Sequence, residues 1–331
     1  MIDRTVGRLT SSPVITRYSN NPILSSRDIP YADGLVYNGS AIKYRGRYVM
    51  LVRVDHASLT EKTLGGVSDI ALAHSDDGIS WDVQAQPCIA WRDDEIVSPT
   101  DPRLMLVDGL PFLSVAVQTR HGMETSLLRT EDFARFECVS TMVPDNRDVV
   151  LFPEKIGGMY LRIERPFPTF GHGKRSVFDM WISESPDLVY WGKPSVLLDV
   201  ERVPYANQRI GAGTPPLRTP HGWLMLFHAV DDDPSRGQNG WEETWTNRYS
   251  AGVLLLDLEN PRKVLGFSRS PLLAPEAAYE VSGGYRNNIV FPCGWVLEDD
   301  GELKIYYGAA DTVPCLATAR LGDLIALCAP M

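Results

Sequence analysis

Asp101, in the run Thr100-Asp-Pro-Arg, is the leading candidate for acid chemistry. Asp before Pro often opens a turn, so on its own the run reads equally well as a turn. Four cations supply a context: Arg147, Arg165, Arg209 and His228. A guanidinium fork meets phosphate or carboxylate through two parallel bonds. A lone arginine is ordinarily half of a surface salt bridge, and a lone strand histidine a core residue. Several at channel-proximal places of a repeated unit read instead as an anion site. Hydrolytic glycosidases need two carboxylates at a set separation. Phosphate is already an anionic nucleophile, so one acid with a basic cluster is the set that phosphorolysis needs.

Those residues must be positioned by strands. Helical periodicity is scarce, and the 24 prolines and 27 glycines break the chain into short apolar runs separated by turns. One unit recurs five times, as a strand, a glycine turn and a strand ending in a polar residue. Its copies begin at Asn38-Gly-Ser-Ala, Thr100-Asp-Pro-Arg, Leu151-Phe-Pro-Glu, Gly213-Thr-Pro-Pro and Val290-Phe-Pro-Cys. Each is followed by a second hairpin-like piece, for example Asp69–Trp81, Ser126–Phe136 and Asp179–Trp191. Two hairpins make a four-stranded antiparallel blade, and five blades make an all-β, five-bladed β-propeller that leaves few free edges. A β-sandwich is the alternative, but the fivefold recurrence favours the propeller. The expected organisation is one domain over residues 1–331, with an N-terminal extension 1–20 and a polar insertion 231–248. The late helix candidate is Leu321–Leu327. Channel-proximal positions carry Asn38, Arg53, Asp55, Asp101, Arg103, Arg162, Arg165, Arg209, His228 and Asp311. Trp241 and Trp245, in the insertion, are candidates for stacking on a sugar. The tryptophans at 181, 191, 223 and 295 read as blade core.

Composition narrows the partners. The net charge of −10 argues against nucleic acid and anionic membranes. The first seventeen residues mix charges with Ser and Thr, without the apolar block of a signal peptide. The five cysteines stand apart with no C-x-x-C pair, which argues against a disulfide framework or a zinc site. A reducing cytoplasm is the expected location.

At these residues the chain resembles glycoside hydrolase family 130, the β-mannoside phosphorylases, from Asn21-Pro-Ile-Leu to the C-terminus. The resemblance is carried by Thr100-Asp-Pro-Arg, Val143-Pro-Asp-Asn-Arg, Leu151-Phe-Pro-Glu-Lys, Glu164-Arg-Pro, Ile210-Gly-Ala-Gly-Thr-Pro-Pro, Phe227-His-Ala-Val and Ile305-Tyr-Tyr-Gly-Ala-Ala-Asp-Thr-Val. The segments Asp231–Arg248 and Tyr279–Asn288 look most like the 4-O-β-D-mannosyl-D-glucose phosphorylase subgroup. The resemblance implies inverting, phosphate-dependent cleavage of 4-O-β-D-mannosyl-D-glucose, or a related β-1,4-mannoside, to α-D-mannose 1-phosphate and D-glucose. Phosphorolysis of β-mannooligosaccharides or mannosyl-N-acetylglucosamine is the neighbouring expectation.

The same resemblance implies Asp101 as proton donor, acting through a mannose hydroxyl. It implies phosphate on Arg147, Arg165, Arg209 and His228, and mannose contacts on Asn38, Arg53 and Asp311. Asp55 and Arg103 complete the expected substrate-binding set. No metal or cofactor is expected, inorganic phosphate being a co-substrate, and family analogy suggests a homo-oligomer. The family usually has Lys where this chain has Arg209. Members that hydrolyse with water lack the basic cluster, which this chain keeps. Two rival readings stand beside this one. A hydrolase would need a second carboxylate as base, with Asp55 or Asp311 nearest. A sugar-binding propeller would turn nothing over.

Overall fold

The computed structural model describes residues 4–31, 33–167, 177–242 and 244–330. Their strands form five antiparallel sheets, the five blades of a β-propeller. Blade 1 holds Gly34–Tyr44, Arg47–Ser58, Thr63–Ser75 and Asp82–Val83. Blade 2 holds Ile96–Val107, Leu110–Thr119, Gly122–Arg129 and Glu137–Thr141. Blade 3 holds Asn146–Leu151, Tyr160–Pro166, Met180–Ser185 and Gly192–Leu198. Blade 5 holds Val290–Leu297, Glu302–Ala309 and Val313–Arg320, and its fourth strand is Thr16–Arg17 from the other end of the chain.

Blade 4 departs from the four-stranded expectation. It has six strands: its inner edge is split into Arg209–Ala212 and Leu217–Thr219, both paired with Gly222–Asp232, and a further strand is added at its outer edge. The split falls at Gly213-Thr-Pro-Pro, where the prolines lack the N–H that a ladder needs. Asn247–Leu256 and Val264–Phe267 follow, and Ala329–Pro330 joins at the outer edge.

The N-terminal residues are not an appendage. Arg4 donates to the Val203 carbonyl at 2.5 Å, Val6 and Leu9 pack on the core between blades 3 and 4, and Thr16–Arg17 completes blade 5. Residues 1–3 of the expected extension, and residue 243 of the insertion, lie outside the described residues. The expected late helix forms at Leu321–Ala326, and a short helix not expected from the sequence forms at Ala278–Val281.

Apolar residues on alternate strand positions fill the spaces between blades. Between blades 3 and 4, Val150, Ile163, Ile182, Ile210 and Phe227 are buried together, and Phe152 meets Trp223 edge to face at 5.3 Å. Trp223 and Trp295 are buried core as expected, whereas Trp181 and Trp191 are only half-buried.

The inner strands of blades 1, 2 and 3 share one irregularity. Asn38, Asp101 and Asp148 have positive φ, at 54°, 47° and 56°. Pairing with the second strand slips at each of them, between Tyr37 and Ser40, Thr100 and Arg103, and Arg147 and Val150. Each is therefore a bulge that re-aims one side chain. Asn and Asp are the non-glycine residues that tolerate this left-handed backbone best. The repeat thus delivers three short polar groups towards one place.

Candidate active site

That place is a cavity of about 410 Å³ lined from all five blades. Asn38 and Arg53 come from blade 1, Asp101 from blade 2, and Arg147, Asp148 and Arg165 from blade 3. Blade 4 gives Arg209 and His228, and Asp311 stands in the turn between two strands of blade 5. Nearly every sequence-derived candidate is brought together here.

Asp101 sits at the centre of one group. Asn38 donates its amide to Oδ1 at 2.8 Å, Arg53 donates to the same oxygen at 3.1 Å, and Arg147 donates to Oδ2. Burial alone would push its pKa up, but Arg53, Arg147 and Arg103 together hold it well below the usual carboxylate range. Asp311 is shifted the other way. Burial raises it, the nearby Asp101 charge adds to that, and Arg286, 3.3 Å from Oδ2, and Arg53 only partly offset the rise. Two cavity carboxyls therefore stand on opposite sides of the ordinary value.

The second group is basic. Arg165, opposite Arg147 in the blade 3 ladder, places Nε 2.9 Å from Asp148 Oδ2. His228 Nε2 is 3.6 Å from the same oxygen. Neither imidazole nitrogen has a hydrogen-bond partner, and the ring lies against Phe291 at 4.8 Å and Tyr249 at 5.9 Å. Burial, with Arg165, Arg103 and Arg209 nearby, depresses His228 to about 3 against the pull of Asp148, so its ring is neutral. Arg209 is steered by Gln208, which accepts from Nε at 2.6 Å, and its guanidinium lies 5.0 Å over Phe178. Gly211 is the floor beneath His228. A Cβ there would lie 2.5 Å from His228 Cε1 and 2.9 Å from Asp148 Oδ2, so only glycine lets the ring and the carboxylate approach.

Two of the expected substrate-binding residues do not line the cavity. Asp55 lies behind Arg53 and is fully engaged by Arg53 Nε at 2.6 Å, the Tyr37 hydroxyl at 2.6 Å and Ser68 Oγ at 2.6 Å. It aims Arg53 rather than meeting a ligand. Arg103 is 1% exposed beneath the wall, its guanidinium 4.7 Å over the Phe291 ring. The bulge at Asp101 separates the two residues, so Arg103 does not share the outlook of Asp101. Arg162, also expected near the channel, turns away, pairing with Glu164 at 2.8 Å and lying over Trp191 at 4.3 Å.

Of the two insertion tryptophans, Trp245 lines the cavity, stacked on Tyr249 at 5.9 Å with the Arg286 guanidinium 4.5 Å over its ring. Trp241 packs edge-on to Tyr285 at 6.0 Å and is not part of the lining. Asp148, Arg286 and Tyr249 are lining residues that the sequence reading missed. The arrangement offers an oxyanion a ring of cations beside an acid, with aromatic surface for a sugar face.

The chain matches the protein-family profile described as beta-1,4-mannooligosaccharide phosphorylase over residues 8–329. A 1,2-beta-oligomannan phosphorylase from a Thermoanaerobacter strain is 29% identical, over 94% of this chain and 98% of its own length. A beta-1,4-mannooligosaccharide phosphorylase from Ruminococcus albus is 30% identical, over 94% of this chain and 90% of its own. The structure of a beta-1,2-mannobiose phosphorylase from Listeria innocua, complexed with beta-1,2-mannobiose, superposes with a TM-score of 0.80 at 26% identity, covering 95% of this chain and 99% of that one. A 4-O-beta-D-mannosyl-D-glucose phosphorylase from Bacteroides fragilis is 25% identical, over 96% of this chain and 81% of its own. The similarity does not single out that last subgroup, contrary to the expectation drawn from Asp231–Arg248 and Tyr279–Asn288.

Proposed function

We propose, for a chain that belongs to glycoside hydrolase family 130, the β-mannoside phosphorylases, that Asp101 and the basic group divide the work of an inverting phosphorolysis. The products are α-D-mannose 1-phosphate and the released acceptor sugar. The observation that carries this division is geometric: Arg147, Arg165, Arg209 and His228 converge on the cavity that also holds Asp101.

Phosphate docks on the cations and needs no base, being already charged. Asp101 supplies the proton for the leaving oxygen, and Asn38, Arg53 and Asp311 hold the mannosyl ring. His228 enters as a neutral donor rather than as a charge, consistent with its depressed pKa. A hydrolase would need a free carboxylate to activate water. Asp55 is fully bonded, and Asp311 is already paired with Arg286 at 3.3 Å. Both points support phosphate over water as nucleophile.

The acceptor is read by Trp245, Tyr249 and Arg286. A cavity of about 410 Å³ suits a disaccharide. The 4-O-β-D-mannosyl-D-glucose reading is retained as one arm of an acceptor panel, against mannose in β-1,4 and β-1,2 linkage and N-acetylglucosamine. The deciding experiment incubates these disaccharides with and without inorganic phosphate. Turnover should require phosphate and yield mannose 1-phosphate. Equal turnover in phosphate-free buffer, with free mannose as product, overturns the reading.

A further inference from the structure

Asp148 is a carboxylate in the middle of an anion site. It lines the cavity, its side chain is 4% exposed, and its Oδ2 lies 2.9 Å from Arg165 Nε and 3.6 Å from His228 Nε2. None of these three atoms is aligned to make a hydrogen bond within the protein. Arg147, its chain neighbour, completes the surround on blade 3, with Arg209 arriving from blade 4. The left-handed backbone at Asp148 and the missing side chain at Gly211 are both needed to bring the carboxylate there. Such a placement is not explained by charge pairing alone. A fully ionised guest seated on Arg165 and His228 would face Asp148 as a like charge at close range, in surroundings that screen poorly. A guest that keeps one proton turns the repulsion into a charge-assisted hydrogen bond.

We propose that Asp148 selects for a protonated tetrahedral oxyanion, accepting a hydrogen bond from the P–OH of phosphate and disfavouring anions such as sulfate that have no proton to give. The inference rests on the reading of the basic group as the phosphate site. Arg165, Arg147 and Arg103 keep the carboxylate ionised against the effect of burial, which is what an acceptor needs. The bond also orients the nucleophile. With the P–OH turned to Asp148, the remaining ionised oxygens face Arg147, Arg165 and the sugar.

The test uses the full chain and measures binding of inorganic phosphate, arsenate and sulfate by calorimetry, together with sulfate inhibition of phosphorolysis. In the wild type, arsenate should follow phosphate, and sulfate should bind at least about tenfold more weakly. In Asp148→Asn the amide can donate to an ionised oxygen, so sulfate gains while phosphate loses. The phosphate-to-sulfate preference should shrink about tenfold or invert. Asn tolerates the left-handed backbone, and an unchanged melting temperature checks the fold. Wild-type sulfate binding as tight as phosphate overturns the proposal without any variant. So does an equal loss of both anions in Asp148→Asn, which would make the residue only an aligner of Arg165. Failure of the wild type to bind phosphate at all, in contrast, removes the underlying reading of the site.

Discussion

Arg147 donates to Asp101 Oδ2, so the proposed proton donor and one of the proposed phosphate ligands are partners of each other before any ligand arrives. Against burial, Arg53 does most to keep Asp101 ionised, with this pairing and Arg103 adding to the effect. An acid must hold its proton, and phosphate supplies the means. A dianion seated on Arg147 draws its positive field away from Asp101 and adds negative charge nearby, and both effects raise the carboxyl's affinity for a proton. Asp101→Asn should keep the hydrogen bonds but remove the proton. Phosphorolysis of the natural disaccharide should fall by about 10²–10⁴-fold. An aryl mannoside with an activated leaving group, if accepted, should lose far less. Near-wild-type rates on the disaccharide would shift the acid to Asp311, the cavity carboxyl held above its ordinary value.

Gly211→Ala tests the floor of the site. The new methyl would meet His228 Cε1 at 2.5 Å and Asp148 Oδ2 at 2.9 Å, so ring and carboxylate must move. Displacement of a packed group by overfilling costs about 1–3 kcal/mol. The Michaelis constant for phosphate should rise at least about tenfold while that for the sugar changes little. Steady-state kinetics with each substrate varied separately measure the split. An equal rise in both would place the strain elsewhere.

His228 gives a pH signature. Its pKa is about 3 in the folded chain against the ordinary 6.5. As pH falls below 6.5 the unfolded chain takes up a proton that the folded chain refuses, so stability is lost from about 6.5 down towards about 3. The slope attributable to this group is about 1.4 kcal/mol per pH unit. Unfolding by urea between pH 4.5 and 7, in wild type and His228→Gln, should show a flatter dependence in the variant. Parallel curves would mean that His228 is protonated in the folded protein.

Arg209, on the inner edge of blade 4, is one of the proposed phosphate ligands. Its guanidinium rests over Phe178 and is steered by Gln208, so its reach differs from that of an ammonium. Arg209→Ala should raise the phosphate Michaelis constant roughly 10–100-fold, the scale of a lost hydrogen bond to a charged group. Arg209→Lys keeps the charge and should recover most of that loss. If Ala and Lys behave alike, the fork geometry, not the charge, is what phosphate requires.

The repeat was legible because its turns are marked by glycine, and the propeller follows from counting it. Its phase was legible in only some of the blades. Turn spacing starts the third unit at Leu151, but the inner strand runs Asn146–Leu151 and ends there. Set in the correct phase, Arg147-Asp falls on Tyr37-Asn and Thr100-Asp, and Asp148 takes the place of Asn38 and Asp101. Arg53 and Arg165 then also coincide, each opposite the residue just before the bulge. Asp55 and Arg103 were misplaced for local reasons, one shielded by Arg53 and the other set apart by a bulge that strict alternation does not foresee. Arg286 belongs to no repeat. It stands between blades 4 and 5 and is recognised only through Asp311, Glu242 and Trp245, which are brought near it by tertiary folding.

The pairing of Thr16 with Thr318 and Arg17 with Ala317 has a consequence for how the molecule is born. Ribosomal synthesis is vectorial, and the hairpins of the first blades can pair as they emerge. The last blade must wait for a strand made before any of the blades, which stays unclaimed while all five are added. Contacts of such separation in sequence are slow to form. Until they do, the chain is an open horseshoe with an unpaired edge, the kind of species that self-associates. Because the cavity takes walls from every blade, its chemistry begins only when the circle shuts, and turnover is itself a readout of completed assembly.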